Sequence, residues 1–359
     1  VLLLVALCLI LVYFPLKKIQ SAKNAALTCF FLIILVSVLD FKLSANSLAA
    51  NDSYLLNTNI AASSMNNLRL AVTTFDRTSS DQFIQPANSA SELLRESNVE
   101  EEGQFTTVIL IVVESLGLIN DPVLNQFQME PIFGLKNVHG VALKSGTVEF
   151  EGSTVPGELR ELCGIRLLTV HPNVSTLPTA SCLPRLFGDR GFKTLAIHGF
   201  IGTLFSRSRW YPALHFDDIW FAPKLDELIP KANRCGIAFH GICDKDIWKL
   251  IVNQNLTVSN SPRFIYWLTL SAHLPVEHPL DMNDVNCSKF EALNKENELC
   301  NLVFQHRLLF SEIANSIQKS QLSRTVILLV GDHSPPFLNH EIRSLFDTKK
   351  VPYVEIKIP

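Results

Sequence analysis

The sequence predicts an α/β sandwich with a mostly parallel central sheet, preceded by transmembrane helices, and three observations carry that reading. Strand-like apolar runs recur at Thr106–Val113, Thr194–Ile197, Phe264–Leu270 and Thr325–Val330. Segments of helical character, Ser181–Arg190, Asp244–Asn253 and Val303–Lys319, lie between them, and strands alternating with helices pair in parallel. The third observation is a pair of apolar runs that opens the chain.

Val1–Leu16 is the first of these runs; Lys17, Lys18 and Lys23 follow, and then a second run, Ala25–Leu39. Each is slightly short of the roughly 20 residues of a membrane-crossing helix. Two such runs around a lysine-rich loop do not resemble a cleavable signal, and positive charge between two spans marks the cytoplasmic side. Everything after Asp40 is then expected outside the cytoplasm. The missing initiator Met leads to the expectation of a longer protein with further spans before this chain. The expected organisation is residues 1–43 as two transmembrane segments, 44–104 as a linker with juxtamembrane helices, and 105–359 as the folded domain. The linker is rich in Asn, Ser and Ala, with helical apolar spacing at Leu68–Val72 and Leu93–Leu94.

Composition narrows the class. Of 359 residues, 47% are hydrophobic, the formal net charge is −3, and mean hydropathy is +0.22. No basic cluster with interleaved aromatics is present, which argues against a nucleic-acid partner. Cys8 and Cys29 sit in the apolar runs, leaving Cys163, Cys182, Cys235, Cys243, Cys287 and Cys300 in the outer part. An even number in an exported domain favours disulfides. Spacing leaves the connectivity open; the pairs 163–182, 235–243 and 287–300 close the shortest loops. Without a CxxC spacing, zinc held by these cysteines is not expected.

In open α/β sheets chemistry collects beyond the carboxyl ends of the strands. The first run ends in Glu114-Ser115, the second in His198-Gly199, the third leads to His273-Leu274-Pro275, and the last ends Gly331-Asp332-His333. Glu114, Asp332 and His333 offer two carboxylates and an imidazole, a donor set for zinc or manganese. Between the first two runs lies Glu151-Gly152-Ser153-Thr154-Val155-Pro156-Gly157-Glu158. Gly152 and Pro156 break the strand entering from Val148, and Glu158–Cys163 reads as a helical turn, so Ser153 and Thr154 fall at a loop-to-helix junction. A hydroxyl there is most often an N-cap. Beside a metal ion it becomes a nucleophile, because the cation favours its deprotonated form.

These residues carry a resemblance. Glu114 after a buried strand, a Gly-x-Thr loop and Gly331-Asp332-His333 near the end are similar to the alkaline phosphatase and sulfatase superfamily. Within it, the chain resembles the membrane-anchored phospho-headgroup transferases: lipoteichoic acid synthases, glucan phosphoglycerol transferases and lipid A phosphoethanolamine transferases. The resemblance covers residues 105–359 together with the membrane-anchored layout, and it implies a sulfatase-like fold. It implies one divalent metal ion, Zn or Mn, on Glu114, Thr154, Asp332 and His333, with Thr154 also the covalent nucleophile. Thr154 is favoured over Ser153 because Glu158 and the following helix then fall in the family's register.

Thr269-Leu270-Ser271-Ala272-His273-Leu274-Pro275 is similar to the Thr-x-x-x-His-x-Pro segment of the lipoteichoic acid synthase branch, which implies that His273 contacts the phosphate group. His198-Gly199 followed by Phe205 and Arg207 resembles that branch's headgroup-holding loop, and His240–Asp244 resembles the Gly-x-x-Asp helix start after it. Two departures stand out. Phe205 replaces a tryptophan, and the cysteines are closer to the phosphoethanolamine transferases.

The implied activity moves a phospho-headgroup, phosphoglycerol first and phosphoethanolamine second, from a membrane phospholipid (phosphatidylglycerol or phosphatidylethanolamine) to an envelope glycan or lipid. The implied location is a bacterial inner membrane, with the catalytic domain in the periplasm. With water as acceptor the same residues would make a phosphodiester hydrolase, and sequence does not separate the two. A non-catalytic relative would have lost a ligand or the nucleophile, whereas all four positions are filled here.

Overall fold

The computed structural model of the chain describes residues 84–96, 105–167, 172, 174–253, 261–278 and 287–359. The two apolar runs of residues 1–43 and most of the segment 44–104 lie outside the described residues. Among the described residues no helix is long and apolar enough to cross a membrane.

The largest sheet among the described residues has seven strands. In spatial order they are β3 (Ala142–Glu149), β11 (Lys350–Ile358), β10 (Thr325–Gly331), β2 (Thr107–Val113), β9 (Arg263–Leu268), β5 (Lys193–His198) and β6 (Asp218–Trp220). From β10 to β6 every pairing is parallel, whereas β11 and β3 are added antiparallel at one edge. The four strands expected from apolar runs are the four adjacent central strands. The two antiparallel strands have weaker signals: β3 (ALKSGTVE) is largely exposed, and β11 contains Pro352. Two short antiparallel pairs, β1 (Ile84–Pro86) with β4 (Ile165–Leu167) and β7 (Arg234–Cys235) with β8 (Gly241–Ile242), stand apart from this sheet.

Successive side chains of a strand point to opposite faces, so a strand that is apolar throughout needs cover on both. On β2, Val108, Leu110 and Val112 join one core, while Ile109, Ile111 and Val113 join the other. The first core is completed by α1 (Glu92–Glu96), α3 (Thr154–Cys163), α4 (Leu183–Asp189) and α5 (Arg207–Ala213), through Leu94, Leu159, Phe187 and Trp210. The second is completed by α2 (Pro122–Phe133), α6 (Asp244–Asn253) and α7 (Asn297–Gln318), through Ile132, Trp248 and Phe310. The result is the expected three-layer arrangement of helix, sheet and helix. Part of the segment expected to be a linker belongs to it, since Ala90 and Leu94 are buried in the first core.

Helix α3 differs from its expected form. It starts at Thr154 rather than Glu158, with Ser153 at the N-cap position. Pro156 in the first turn is tolerated because N–H groups there have no intrahelical partner to lose. Every residue of α3 is buried, including Glu158, Arg160 and Glu161. Arg160 Nε pairs with Glu161 Oε1 at 2.6 Å, and its Nη1 and Nη2 donate to the carbonyls of Asp332 (3.0 Å) and Gly331 (2.6 Å). Glu161 Oε2 accepts from the Ser91 backbone N–H at 2.9 Å. One buried ion pair therefore ties the segment before β2, the helix, and the end of β10 into one body.

Three disulfides are present, Cys163–Cys182, Cys235–Cys243 and Cys287–Cys300. They are the shortest-loop pairs of the outer cysteines.

Removing Arg160 leaves Glu161 as a buried carboxylate without its cation. Arg160→Ala is expected to lower the unfolding free energy by about 3–5 kcal/mol in urea denaturation. A loss below about 1 kcal/mol, the range of an exposed pair, would contradict the clamp.

Candidate active site

The parallel register sets the site. Gly331 on β10 lies opposite Val113 on β2, and Val112 lies opposite Leu268 on β9, which in turn faces His198 on β5. The next residues of β10 and β2, Asp332 and Glu114, therefore emerge side by side. Ligand atoms of Glu114, Asp332 and His333 all lie within 4.8 Å of one another, and all three residues are buried.

Each carboxylate is aimed by local bonds. Asp332 Oδ1 accepts from the backbone N–H groups of Ser115 (2.8 Å) and His333 (2.7 Å). Ser115 adopts φ 56°, a left-handed conformation that is strained for a serine and turns the chain sharply after Glu114. Its hydroxyl donates to Glu114 Oε1 at 3.0 Å. His333 Nδ1 lies 2.8 Å from the Ser334 carbonyl, which makes it the donor and leaves Nε2 bare toward the cluster. Nε2 is 3.3 Å from Asp332 Oδ2 and 3.6 Å from Glu114 Oε1.

Thr154 completes the group. Its Oγ1 donates to Glu114 Oε2 at 3.2 Å and lies 3.3 Å from His333 Nε2. Ser153 is exposed and its hydroxyl makes no capping bond, so of the two candidate hydroxyls it is Thr154's that stands in the cluster. The approach depends on Gly157, where a Cβ would meet Asp332 Cα, Cβ and O at 2.9 Å.

The electrostatics are those of a site short of positive charge. Burial opposes ionisation of Glu114, yet the His273 and His333 imidazoles and the Ser115 and Thr154 hydroxyls outweigh it and hold its pKa below the ordinary value. Asp332 goes the other way: burial, then the neighbouring Glu114 charge, push its carboxyl well above the usual range. For His333, burial is outweighed by Asp332 and Glu114, which raise its pKa. Asp332 Oδ2 is buried without a hydrogen-bond partner. Two carboxylates, an imidazole with its lone pair inward and an orphaned carboxylate oxygen together fit a divalent cation, of the kind bound by mixed nitrogen and oxygen donors.

The remaining expected residues lie around this centre with different degrees of freedom. His273 sits edge-on to Phe239, with ring centroids 4.3 Å apart, and its Nδ1 is 2.7 Å from the Leu274 carbonyl. Burial lowers its pKa, while the charge on Glu114 works in the opposite sense. His198 is bound through Nδ1 to the Leu268 carbonyl at 3.2 Å, and its buried Nε2 has no partner. Burial, then the charge of Arg207, hold its pKa well below the ordinary value.

Arg207, which the resemblance places in a headgroup-holding loop, is paired within the protein. Its Nε and Nη2 are engaged with Glu158 at 3.0 and 2.9 Å, leaving Nη1 as the one guanidinium nitrogen without a hydrogen-bonded partner among the described residues. Glu158 Oε1 also accepts from the hydroxyls of Tyr211 and Tyr266. Arg207 lies over the half-buried Phe205 ring at 5.2 Å from its centroid.

Several supporting residues carried no sequence signal for this role. Thr269 Oγ1 accepts from the Glu114 N–H at 2.9 Å. The Asp244 carboxylate accepts from Leu270 N (2.9 Å) and Ser271 N (2.7 Å), bracing the segment that leads to His273. Burial raises its pKa to about 6 in spite of those bonds. His306 Nε2 lies 3.0 Å from the Glu114 carbonyl. Thr269 and Asp244 fall in segments with recognisable patterns, but His306 looks like any polar residue of an amphipathic helix.

Comparison with known proteins agrees with this architecture. The sequence model of the family described as Sulfatase matches residues 106–350. No curated protein matches in sequence. Among solved structures, the lipoteichoic acid synthase LtaP from Listeria monocytogenes is similar with a TM-score of 0.50 at 16% identity, over 72% of this chain and 66% of that one. This chain thus spans just under two thirds of that relative's length. The phosphoglycerol transferase GacH from Streptococcus pyogenes gives a TM-score of 0.47 at 16% identity over 75% and 77% of the two chains. The lipooligosaccharide phosphoethanolamine transferase A from Neisseria meningitidis gives 0.45 at 12% identity over 93% and 61%. At these identities the likeness concerns the fold alone. The family match spans well over half the sequence and encloses every residue of the cluster, from Glu114 to His333; the chain belongs to the sulfatase family.

Proposed function

We propose that this chain is a metal-dependent transferase that moves a phospho-headgroup from a membrane phospholipid, through a covalent intermediate on Thr154, to a hydroxyl of an envelope glycan or lipid. The observation that carries the proposal is the hydroxyl of Thr154 held between Glu114 and His333 beside the orphaned oxygen of Asp332. A divalent ion on Glu114, Thr154, Asp332 and His333 would favour the deprotonated hydroxyl and offset charge on a phosphoryl oxygen.

The chain's own residues account for the rest. Thr154 Oγ1 directs its proton to Glu114 Oε2 and forms a bond to phosphorus. The bond from phosphorus to the diacylglycerol oxygen breaks, diacylglycerol leaves after taking a proton, and a phosphodiester remains on Thr154. The acceptor hydroxyl then reverses the sequence: its oxygen bonds to phosphorus, the bond to Oγ1 breaks, and the threonine recovers a proton. Thr154 opens α3, whose first-turn N–H groups and positive dipole end favour an anion beside it. Nη1 of Arg207 supplies a donor for phosphoryl oxygens, and His273 and His198, whose Nδ1–H groups are given to backbone carbonyls, would join it through Nε2 in their protonated form, which an anionic group beside them favours.

Phosphoglycerol is the first choice of headgroup, from the Thr269–Pro275 and His198–Arg207 segments, and phosphoethanolamine the alternative. Three disulfides suit an oxidising compartment, which supports a catalytic domain on the periplasmic side of an inner membrane. Residues 1–43 as a membrane tether would hold the site near the donor headgroup and raise its effective concentration.

The decisive experiment is peptide mass spectrometry of the full chain incubated with zinc or manganese and with either phosphatidylglycerol or phosphatidylethanolamine. A headgroup phosphate is expected on the peptide containing Thr154. Thr154→Ala should abolish it and lower turnover by about 10³-fold or more, whereas Ser153→Ala should leave both intact. Release of free headgroup phosphate to water, with no transfer to any glycan or lipid, would replace the transferase with a hydrolase.

Metal binding should also stabilise the fold. Free zinc or manganese at about 100 times its dissociation constant is expected to add about 2.7 kcal/mol to the unfolding free energy. Asp332→Ala should remove that gain, and an equal gain in this variant would contradict the proposed ligand set.

A further inference from the structure

Glu114 follows directly on β2, and its backbone is gripped from both sides. Its N–H donates to Thr269 Oγ1, and its carbonyl meets His306 Nε2 at 3.0 Å. His306, on α7, is 1% exposed, and its Nδ1 lies 2.8 Å from Nε2 of Gln128 on α2, which is fully buried. In an interior that otherwise packs Phe310 and Met129 a polar ring is costly unless its bonds are made, and both nitrogens of His306 have partners, although Gln128 Oε1 is buried without one.

The bonding has one neutral solution. A carbonyl only accepts, so His306 Nε2 must carry the hydrogen. In a neutral ring Nδ1 is then bare and must accept, and the Gln128 amide N–H supplies the donor. Turning the Gln128 amide around would set its oxygen against the bare Nδ1, two acceptors face to face.

We infer that His306, held as its Nε2–H tautomer by Gln128, is a positioning residue that fixes the Glu114 backbone and thereby aims the Glu114 carboxylate at the cation site. The turn at Ser115 makes this grip necessary. The chain leaves β2 in a strained conformation directly after Glu114, and the carbonyl there has lost its place in the sheet ladder. Residues behind a metal ligand act in this way by limiting the rotations that would carry its oxygens out of reach.

The inference rests on the metal-centre reading, and the experiment separates the two. Zinc dissociation constants of the full chain are measured by chelator competition for wild type, Asp332→Ala, His306→Ala, His306→Gln and Gln128→Leu. In parallel, nitrogen-15 histidine spectra of the metal-free protein report the tautomer of His306, identified by the signal missing from His306→Gln. The expected results are an Nε2–H signal in wild type and zinc binding about 10–100-fold weaker in His306→Ala. His306→Gln should recover most of the affinity, because its amide can still donate to the Glu114 carbonyl. Gln128→Leu should weaken binding in the same direction and shift the tautomer balance toward Nδ1–H.

A purely structural role would lower the melting temperature of both His306 variants without separating their zinc affinities, and would overturn the inference. So would an Nδ1–H signal in wild type. If wild type binds zinc, Asp332→Ala does not, and His306→Ala and Gln128→Leu bind as wild type, this inference fails alone. If wild type binds no zinc, the metal centre fails and the inference falls with it. Should His306→Ala not fold, Gln128→Leu and the wild-type tautomer decide.

Discussion

Two carboxylates stand side by side in the buried interior, and most of the surrounding structure can be read as the means of keeping them there. Glu114 and Asp332 leave adjacent parallel strands at the same level, so their side chains converge whether or not repulsion favours it. Such an arrangement is stable only where hydrogen bonds and positive charge compensate it. Oδ1 of Asp332 receives two backbone N–H groups, and Glu114 receives the hydroxyls of Ser115 and Thr154. Oδ2 of Asp332 has no hydrogen-bond partner and stands 3.3 Å from His333 Nε2.

The helix that brings Thr154 to this pair is buried along its whole length and carries three charged residues into the interior. Arg160 and Glu161 face the segment before β2 and the end of β10, while Glu158 faces Arg207 and two tyrosines. Glu158 and Glu161 are each hydrogen-bonded at both carboxylate oxygens, the condition under which buried charge specifies position rather than merely costing stability. The same helix therefore holds both Thr154 beside the carboxylates and Glu158 against Arg207. A change at Arg207 would be felt in the placement of Thr154 as well as in any contact with substrate.

The layers divide these tasks between the two faces of the sheet. The helix that opens at Thr154 and the Glu158 network lie on one face. The helix carrying His306 lies on the other and reaches the site from behind, through the Glu114 carbonyl. The centre is thus held between two cores, which limits the routes by which it can relax.

Much of this was legible in the sequence. β-branched apolar runs specify strands buried on both faces, and their polar terminal residues specify where chemistry collects, so the four central strands and Glu114, Asp332 and His333 could be read directly. Thr154 was marked by the glycine and proline around it; cysteine spacing left the connectivity open, and the structure joins the three shortest-loop pairs. The start of α3 at Thr154, the two antiparallel edge strands and the inclusion of residues 84–96 in the core were not legible. Weak local propensities there are overridden by burial against distant partners. The fate of Arg207 was likewise a tertiary matter, because nothing near it in sequence announces that Glu158 will take two of its nitrogens. His306 and Gln128 are 178 residues apart, and only the packing of their helices brings them together behind Glu114. Local pattern, in short, determined which residue types stand at the strand ends, since it follows from the period of the chain itself. Which of those residues is free, which is clamped and which hydroxyl faces the carboxylates depended on long-range packing, because burial and hydrogen-bond completion are properties of the assembled interior.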